Sequence, residues 1–211
     1  MQKLTNIAPS TRSKGRPREF DREAALVRAL DVFWRRGYEP ASITELCAAM
    51  SINPPSLYSA FGNKAQLFLE AVTYYEKTYW EATWTAMGSD RNLRRGITEF
   101  FRDAARILTS TEIPCGCLVV LAGINVSAES EDVIEALKVL RLESKSKFLT
   151  RLKSGLKDGS LPPKTDIKAL AGALNAVLEG LSIQARDGLS RGDLEAIGIA
   201  AVGMLPVQRS T

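Results

Sequence analysis

Apolar residues along this chain recur three and four apart, and no stretch alternates cleanly as a half-buried strand does. Leu26, Ala29, Leu30 and Phe33 share one face of a helix that Asp21 caps and Gly37 stops. Leu46, Ala49 and Met50 mark a second helix over about 43–50, and Leu57 and Phe61 a third over about 54–61. A fourth stripe, Phe68, Val72, Tyr75 and Tyr79, predicts one long helix from Lys64 to Met87, broken at Gly88-Ser89-Asp90. Further helices are predicted over about 91–109, from Cys117 to Asn125, from Glu131 to Leu156, from Asp166 to Arg186, and from Asp193 to Leu205. The pattern predicts an all-α chain without internal repeats.

The stretch Ser42–Lys64 carries the most information. Ser42 with Glu45 reads as a capping box that opens the second helix. Asn53 caps the third, where Pro54 stands at the first helical position and loses nothing by lacking an N–H. Pro55 removes a second donor, so the Asn53 side chain is expected to cap the N–H of Ser56. The third helix ends at Gly62, and Asn63 caps the next with Gln66 three residues on. Two short helices joined by a tight turn form the helix-turn-helix layout, whose second helix is the one that enters a major groove. Ser51 falls in that turn, where a left-handed backbone is expected at some cost in strain.

Charge agrees with this placement. The chain of 211 residues has a net charge of +4. Residues 1–64 hold ten Lys and Arg against six Asp and Glu, and residues 65–211 hold 18 of each. All the excess positive charge therefore lies in the N-terminal segment that contains the helix-turn-helix pattern, which favours a polyanionic partner there. Residues 1–18 read as a flexible basic arm, with Lys14, Arg16 and Arg18 and no acid. Residues 19–64 read as the helix-turn-helix unit and 65–211 as a larger helical domain, linked through the fourth helix.

Other chemistry is thin. The chain has no histidine, which excludes Cys–His and Ser–His pairs. It has neither a P-loop nor a G-x-G-x-x-G, and no clustered carboxylate pair stands out. No enzyme activity, cofactor or metal is expected. No apolar run reaches the ~18 residues of a membrane span, and three cysteines do not make a disulfide scaffold, so a cytoplasmic setting is the expectation.

The ordered motifs G-R-P-R-x-F-D, F-W-x-x-G-Y, S-I-T-E-L, S-L-Y-x-x-F-G-N-K and L-F, over about residues 14 to 70, resemble the TetR/AcrR family of bacterial transcriptional repressors. The usual glycine between the two helices is Ser51 here. The resemblance implies an all-α fold: a three-helix DNA-binding domain joined by a long fourth helix to a ligand-binding and dimerisation domain. Its partners would be double-stranded operator DNA, a small-molecule effector and a second copy of the chain, with no membrane.

Candidate DNA contacts follow from the residues. Ser42 and Lys64 sit at helix N-termini, which suit phosphate, and a lysine there otherwise opposes the helix dipole. Tyr58 faces away from Leu57 and Phe61, so its hydroxyl is free for phosphate. Pro54 and Pro55 offer rings to thymine methyl groups, and Ser56 can hydrogen-bond to either kind of base edge. No Arg, Asn or Gln lies between Pro54 and Phe61, so more affinity is expected from backbone contacts, from DNA shape and from the Arg16 and Arg18 arm.

In the larger domain, Trp80, Trp84, Phe100, Leu121 and Phe148 are the candidates for lining an effector cavity, although such residues are more often core. Cys115 and Cys117, one residue apart, can bind Cu(I) or form a redox pair, but neither His nor Met adjoins them and packing is the favoured reading. The last two predicted helices carry small and apolar residues on one face. These are Ala169, Gly172, Ala173, Ala176, Val177 and Gly180, followed by Ile197, Ala200, Ala201 and Met204. Two such helices from each chain would build a four-helix dimer interface.

Overall fold

A computed structural model describes residues 20–123 and 125–207. Its α-helices are α1 (Arg22–Arg36), α2 (Ile43–Met50), α3 (Pro54–Phe61), α4 (Lys64–Tyr75), α5 (Glu81–Ser89), α6 (Leu93–Leu108), α7 (Leu118–Leu121), α8 (Glu131–Lys157), α9 (Ile167–Arg186) and α10 (Arg191–Val202). There is no strand among the described residues. No helix among them is long and apolar enough to cross a membrane.

The caps explain why the N-terminal helices begin and end where they do. Asp21 accepts from the N–H groups of Glu23 and Ala24, and Gly37 at φ 85° ends α1. Asn53 accepts from Ser56 N–H at 2.9 Å, as its place before two prolines requires. At α4 both halves of the capping box form: Gln66 N–H donates to Asn63 Oδ1 at 2.8 Å, and Asn63 N–H donates to Gln66 Oε1 at 3.0 Å. At α2 only half forms. Glu45 N–H donates to Ser42 Oγ at 3.1 Å, but the Glu45 carboxylate turns to Arg36 Nε at 3.0 Å, tying α2 to α1. Ser51 is left-handed at φ 56° and ψ 41°.

Three elements differ from the pattern along the sequence. The long fourth helix is not uninterrupted: a π-turn at Glu76–Trp80 separates α4 from α5. One residue wider than a helical turn, it shifts the register so that Tyr75, Trp80 and Trp84 are all buried. The helix expected from Cys117 to Asn125 is only Leu118–Leu121. The chain turns away at Gly123, where a side-chain carbon would meet Arg141 Nη1 at 2.9 Å. The last helix begins at Arg191, because Ser190 is its cap and Asp193 the reciprocal partner of the box.

Two aromatic clusters organise the core. Phe33, Tyr38 and Phe68 pack beneath α2 and α3, with Phe33 edge-on to Phe68 at 5.0 Å. Trp84, Phe100 and Phe148 fill the space between α5, α6 and α8, with ring centroids 4.2 to 5.2 Å apart. Helix α10 lies close on α6 through Gly198, where an added Cβ would stand 2.5 Å from Phe101 Cβ.

Candidate nucleic-acid interface and sensor cavity

Helix α3 owes its orientation to Arg22 on α1. Its guanidinium pairs with the Glu70 carboxylate of α4, donates to Ala60 C=O at 3.1 Å and lies 4.4 Å from the Phe61 ring centre. The inward residues Leu57 and Phe61 are buried. Pro54, Pro55 and Ser59 are exposed, Ser56 is half-buried, and Tyr58 stands out with 51% of its surface exposed. Ser42 is exposed at the start of α2, with its hydroxyl proton free to donate because the oxygen already accepts from Glu45 N–H. Thr44, which periodicity does not single out, is exposed in the same turn. Pro54, Pro55, Tyr58 and Ser42 thus form an open face of hydroxyls and rings around two helix N-termini, the local chemistry that phosphate and base edges engage.

Lys64 is not the free cation that its position suggests. Its ammonium donates to Glu39 C=O at 3.1 Å and sits 4.4 Å from the Tyr38 ring centre. Burial lowers its pKa, opposed by the Glu39 carboxylate. It therefore stabilises the corner between α1 and α4, and meeting a phosphate requires it to turn outward. Arg16 and Arg18 lie outside the described residues.

Beyond its packing on α4, the N-terminal unit is hydrogen-bonded to the larger domain at two places among the described residues. Trp34 Nε1 on α1 donates to Gly116 C=O at 2.9 Å in a buried bond. The Glu39 carboxylate accepts from Ser127 N–H at 2.7 Å and from Ser130 Oγ at 3.2 Å, just ahead of α8. The Gly116 segment is itself held on three sides. Gly116 N–H donates to Leu108 C=O at 2.9 Å, and Cys117 N–H donates to Ser182 Oγ at 2.7 Å. Gly116 adopts φ 83°, and a side chain there would run into Leu121 and Ser182.

A narrow cavity of ≈ 30 Å³ lies between the π-turn, the Cys117–Val120 segment, α8 and α9. Trp80 and Trp84 line it together with Glu76, Cys117, Arg141 and Asn175. Phe100, Phe148 and Leu121 do not. Phe100 and Phe148 are fully buried behind Trp84 as core, and Leu121 packs toward Gly116. The polar walls are what aromatic spacing missed. They arrive on α8 and α9 and through the π-turn, which carries Glu76 to the cavity. Burial pushes the Glu76 carboxyl up to about 7, opposed by Lys147 and reinforced by Glu143. The Cys117 thiol is raised by burial to about 11, so it is neutral at ordinary pH. Cys115 is exposed. Trp80 Nε1 donates to the Tyr75 hydroxyl at 2.7 Å, and Trp34 meets Tyr75 edge-on at 4.6 Å, so the cavity wall and α1 share one aromatic column.

On α9, Ala169 and Ala176 are exposed, and Gly172, Ala173, Val177 and Gly180 are half-buried, leaving an open stripe of small side chains. A Cβ added at Gly180 would meet nothing within 4 Å. On the last helix Ile197 is half-buried, and Met204 just beyond it is exposed. Ala201 is a correction: it is buried against its own chain, because α10 turns that face to α6. Ile183 and Ile199 belong to the open face instead, at 47% and 42% exposed. Ile183 continues the α9 stripe one turn past Gly180, and extending the spacing would have found it.

Comparison with known proteins agrees with this geometry. The family model for bacterial regulatory proteins of the tetR family matches residues 25–71, and that for the tetracyclin repressor-like C-terminal domain matches residues 93–190. The HTH-type transcriptional repressor ComR of Escherichia coli (strain K12) is 30% identical over 199 residues, covering 92% of this chain and 93% of that protein. A solved cysteine mutant of the TetR family transcriptional regulator CifR, complexed with a 26-base-pair double-strand operator DNA, is 44% identical. It superposes with a TM-score of 0.87 over 90% of this chain and 100% of that one.

Proposed function

The chain belongs to the TetR family of bacterial regulatory proteins, and from that premise we propose that it is a dimeric transcriptional repressor that a small molecule releases from its operator. One observation carries this reading. Helices α2 and α3 are held by caps and by Arg22 so that the Ser42 and Tyr58 hydroxyls and the Pro54 and Pro55 rings face outward, in a chain whose excess positive charge lies in residues 1–18, with five Lys and Arg and no acid. In this reading residues 1–18 are a basic arm that brings Arg16 and Arg18 to the duplex. Residues 19–64 read the operator, and residues 65–211 sense and pair. Ser42, Tyr58 and a Lys64 turned outward hold phosphates, whereas Pro54, Pro55 and Ser56 face bases. The likeness to ComR, named a repressor, and to CifR, solved on operator DNA, supports the same reading.

Pairing uses the open α9–α10 face, with Ala169, Gly172, Ala176, Gly180 and Ile183 from α9. A two-fold dimer has to place its two α3 helices about 34–36 Å apart, or a related multiple, to reach successive major grooves. The cavity beside the π-turn holds the effector.

The test is fluorescence anisotropy with the DNA upstream of the chain's own gene, across a salt series. Tyr58→Phe weakens binding to all sequences alike. Lys64→Ala lowers the salt slope by roughly one unit if the ammonium reaches a phosphate. An unchanged slope removes Lys64 from the DNA contacts and leaves it a structural group at the Tyr38 corner.

A further inference from the structure

The cavity beside the π-turn carries an unpaired acceptor. Asn175 on α9 is 8% exposed. Its Nδ2 donates to Glu179 Oε1 at 2.9 Å, but its Oδ1 has no hydrogen-bond partner. A buried acceptor left in that state costs roughly 1–3 kcal/mol, which a ligand donor recovers on binding. The rest of the polar wall points the same way. The Glu76 carboxyl makes no hydrogen bond among the described residues, and Glu179 adds a second carboxyl. On the donor side, Ser144 Oγ is spent on Leu140 C=O at 3.1 Å, and Arg141 Nη1 reaches Val119 C=O at 3.3 Å while keeping its other N–H groups. The wall therefore sets two carboxyls and the orphan amide oxygen against one guanidinium, beside the indole rings of Trp80 and Trp84.

The geometry points to a primary ammonium group on a compact apolar body as the effector class, its N–H groups shared between Asn175 Oδ1 and Glu76 and its charge against the Trp80 and Trp84 rings. This rests on the reading of residues 65–211 as the sensing domain. An ammonium group fits a cavity of ≈ 30 Å³, and a ring does not. The body lies instead toward an open groove of ≈ 450 Å³ between α4, α5 and α8, because Glu76 and Trp84 are walls of both spaces. Indole faces and a carboxylate together are the usual recognition surface for an organic cation. The groups that face Glu76 are Lys147, Glu143 and Arg141 from α8, Glu179 from α9, the neutral Cys117 thiol, and Lys77 and Glu81 along the groove. Lys147, whose Nζ is 5.0 Å from the Trp84 ring centre, is the internal cation that the ligand displaces from this neighbourhood.

Binding is then coupled to a proton. The cation needs Glu76 ionised, and a carboxyl near 7 is mostly protonated at pH 6 and mostly ionised at pH 8. The test uses the full-length chain with three probes of one shape: benzylamine, benzyl alcohol and benzoate. Their affinities are measured by tryptophan fluorescence and calorimetry at pH 6 and pH 8. Benzylamine, an ammonium at both pH values, is expected to bind best and about tenfold more tightly at pH 8, and the alcohol to show no pH dependence. Glu76→Gln, close in shape, removes the pH dependence and weakens benzylamine about tenfold at pH 8. Asn175→Leu weakens it as well, with folding checked by circular dichroism. Tighter binding of benzoate, or of benzyl alcohol at both pH values, overturns the assignment and gives the site to Arg141 or to apolar contact alone. Operator anisotropy separates the two levels. Operator binding without any benzylamine response refutes the ligand class and leaves the repressor reading standing, whereas a chain that binds the amine but no DNA refutes the repressor reading.

Discussion

Replacing Ser51 by glycine tests the account of the α2–α3 turn most directly. Ser51 is the only non-glycine residue with positive φ among those described, at φ 56° and ψ 41°. The turn needs that geometry: Ser51 N–H donates to Ala48 C=O at 3.2 Å and Ile52 N–H to Cys47 C=O at 3.1 Å, closing the end of α2. A left-handed backbone costs an L-residue roughly 1–2 kcal/mol, and glycine almost nothing. Glycine also gives the unfolded chain more freedom, which returns roughly 0.5–1 kcal/mol. Ser51→Gly is therefore expected to stabilise the chain by about 0.5–1 kcal/mol. Urea unfolding followed by far-ultraviolet circular dichroism would show a higher midpoint at unchanged slope. Ser51→Ala keeps the strain and serves as the control, with its midpoint staying at that of the parent chain. If glycine leaves the midpoint unchanged or lowers it, Ser51 is held by something other than backbone sterics and the strain argument fails.

Two further outcomes follow from the same structure. Trp34→Phe keeps a ring against Tyr75 but leaves Gly116 C=O without its donor, so about 1–3 kcal/mol of stability should be lost, with a weaker effector response at equal operator affinity. Ile183→Asp puts a carboxylate on the open α9 stripe, and light scattering should show the dimer giving way to monomer at micromolar concentration, whereas an unchanged mass would move the interface off α9.

Local chemistry made the helices from α1 to the start of α4 legible in the sequence. Caps and breakers act within four residues, so Asp21, Asn53, Gly62 and Asn63 could be placed from the sequence, as could the left-handed Ser51. The misses share a cause: each depends on a partner distant in the chain. Glu45 leaves its half of the capping box for Arg36, and Lys64 folds back onto Tyr38 and Glu39. The π-turn at Glu76–Trp80 has no compositional sign, yet it alone brings Glu76 to the cavity. Aromatic spacing found Trp80 and Trp84 but could not separate wall from core, because Phe100 and Phe148 repeat the same chemistry one layer deeper. The polar lining, Asn175 above all, sits on a helix whose small residues had pointed toward pairing.

The Cys115-Gly116-Cys117 segment gains its meaning from the same distant partners. As a thiol pair it has little to recommend it: one cysteine is exposed, and the other is a half-buried thiol that stays neutral at ordinary pH. As a junction it is constrained on every side. Gly116 receives Trp34 from the DNA-binding unit, its N–H holds the end of α6, and the next residue is tied to Ser182 on α9. Cys117 also lines the cavity, so a ligand that displaces it acts one residue from the carbonyl that anchors α1. The second bridge, from Glu39 to Ser127 and Ser130, lies ahead of α8, whose Arg141 and Ser144 line the same cavity. An effector seated there bears on both of these hydrogen-bonded bridges to the DNA-binding unit without a long relay. Linkage then requires that operator DNA weaken the effector by the factor by which the effector weakens DNA binding. Trp34→Phe, by cutting one bridge, should reduce that common factor, and an unchanged factor in both titrations would show that the bridge does not carry the coupling.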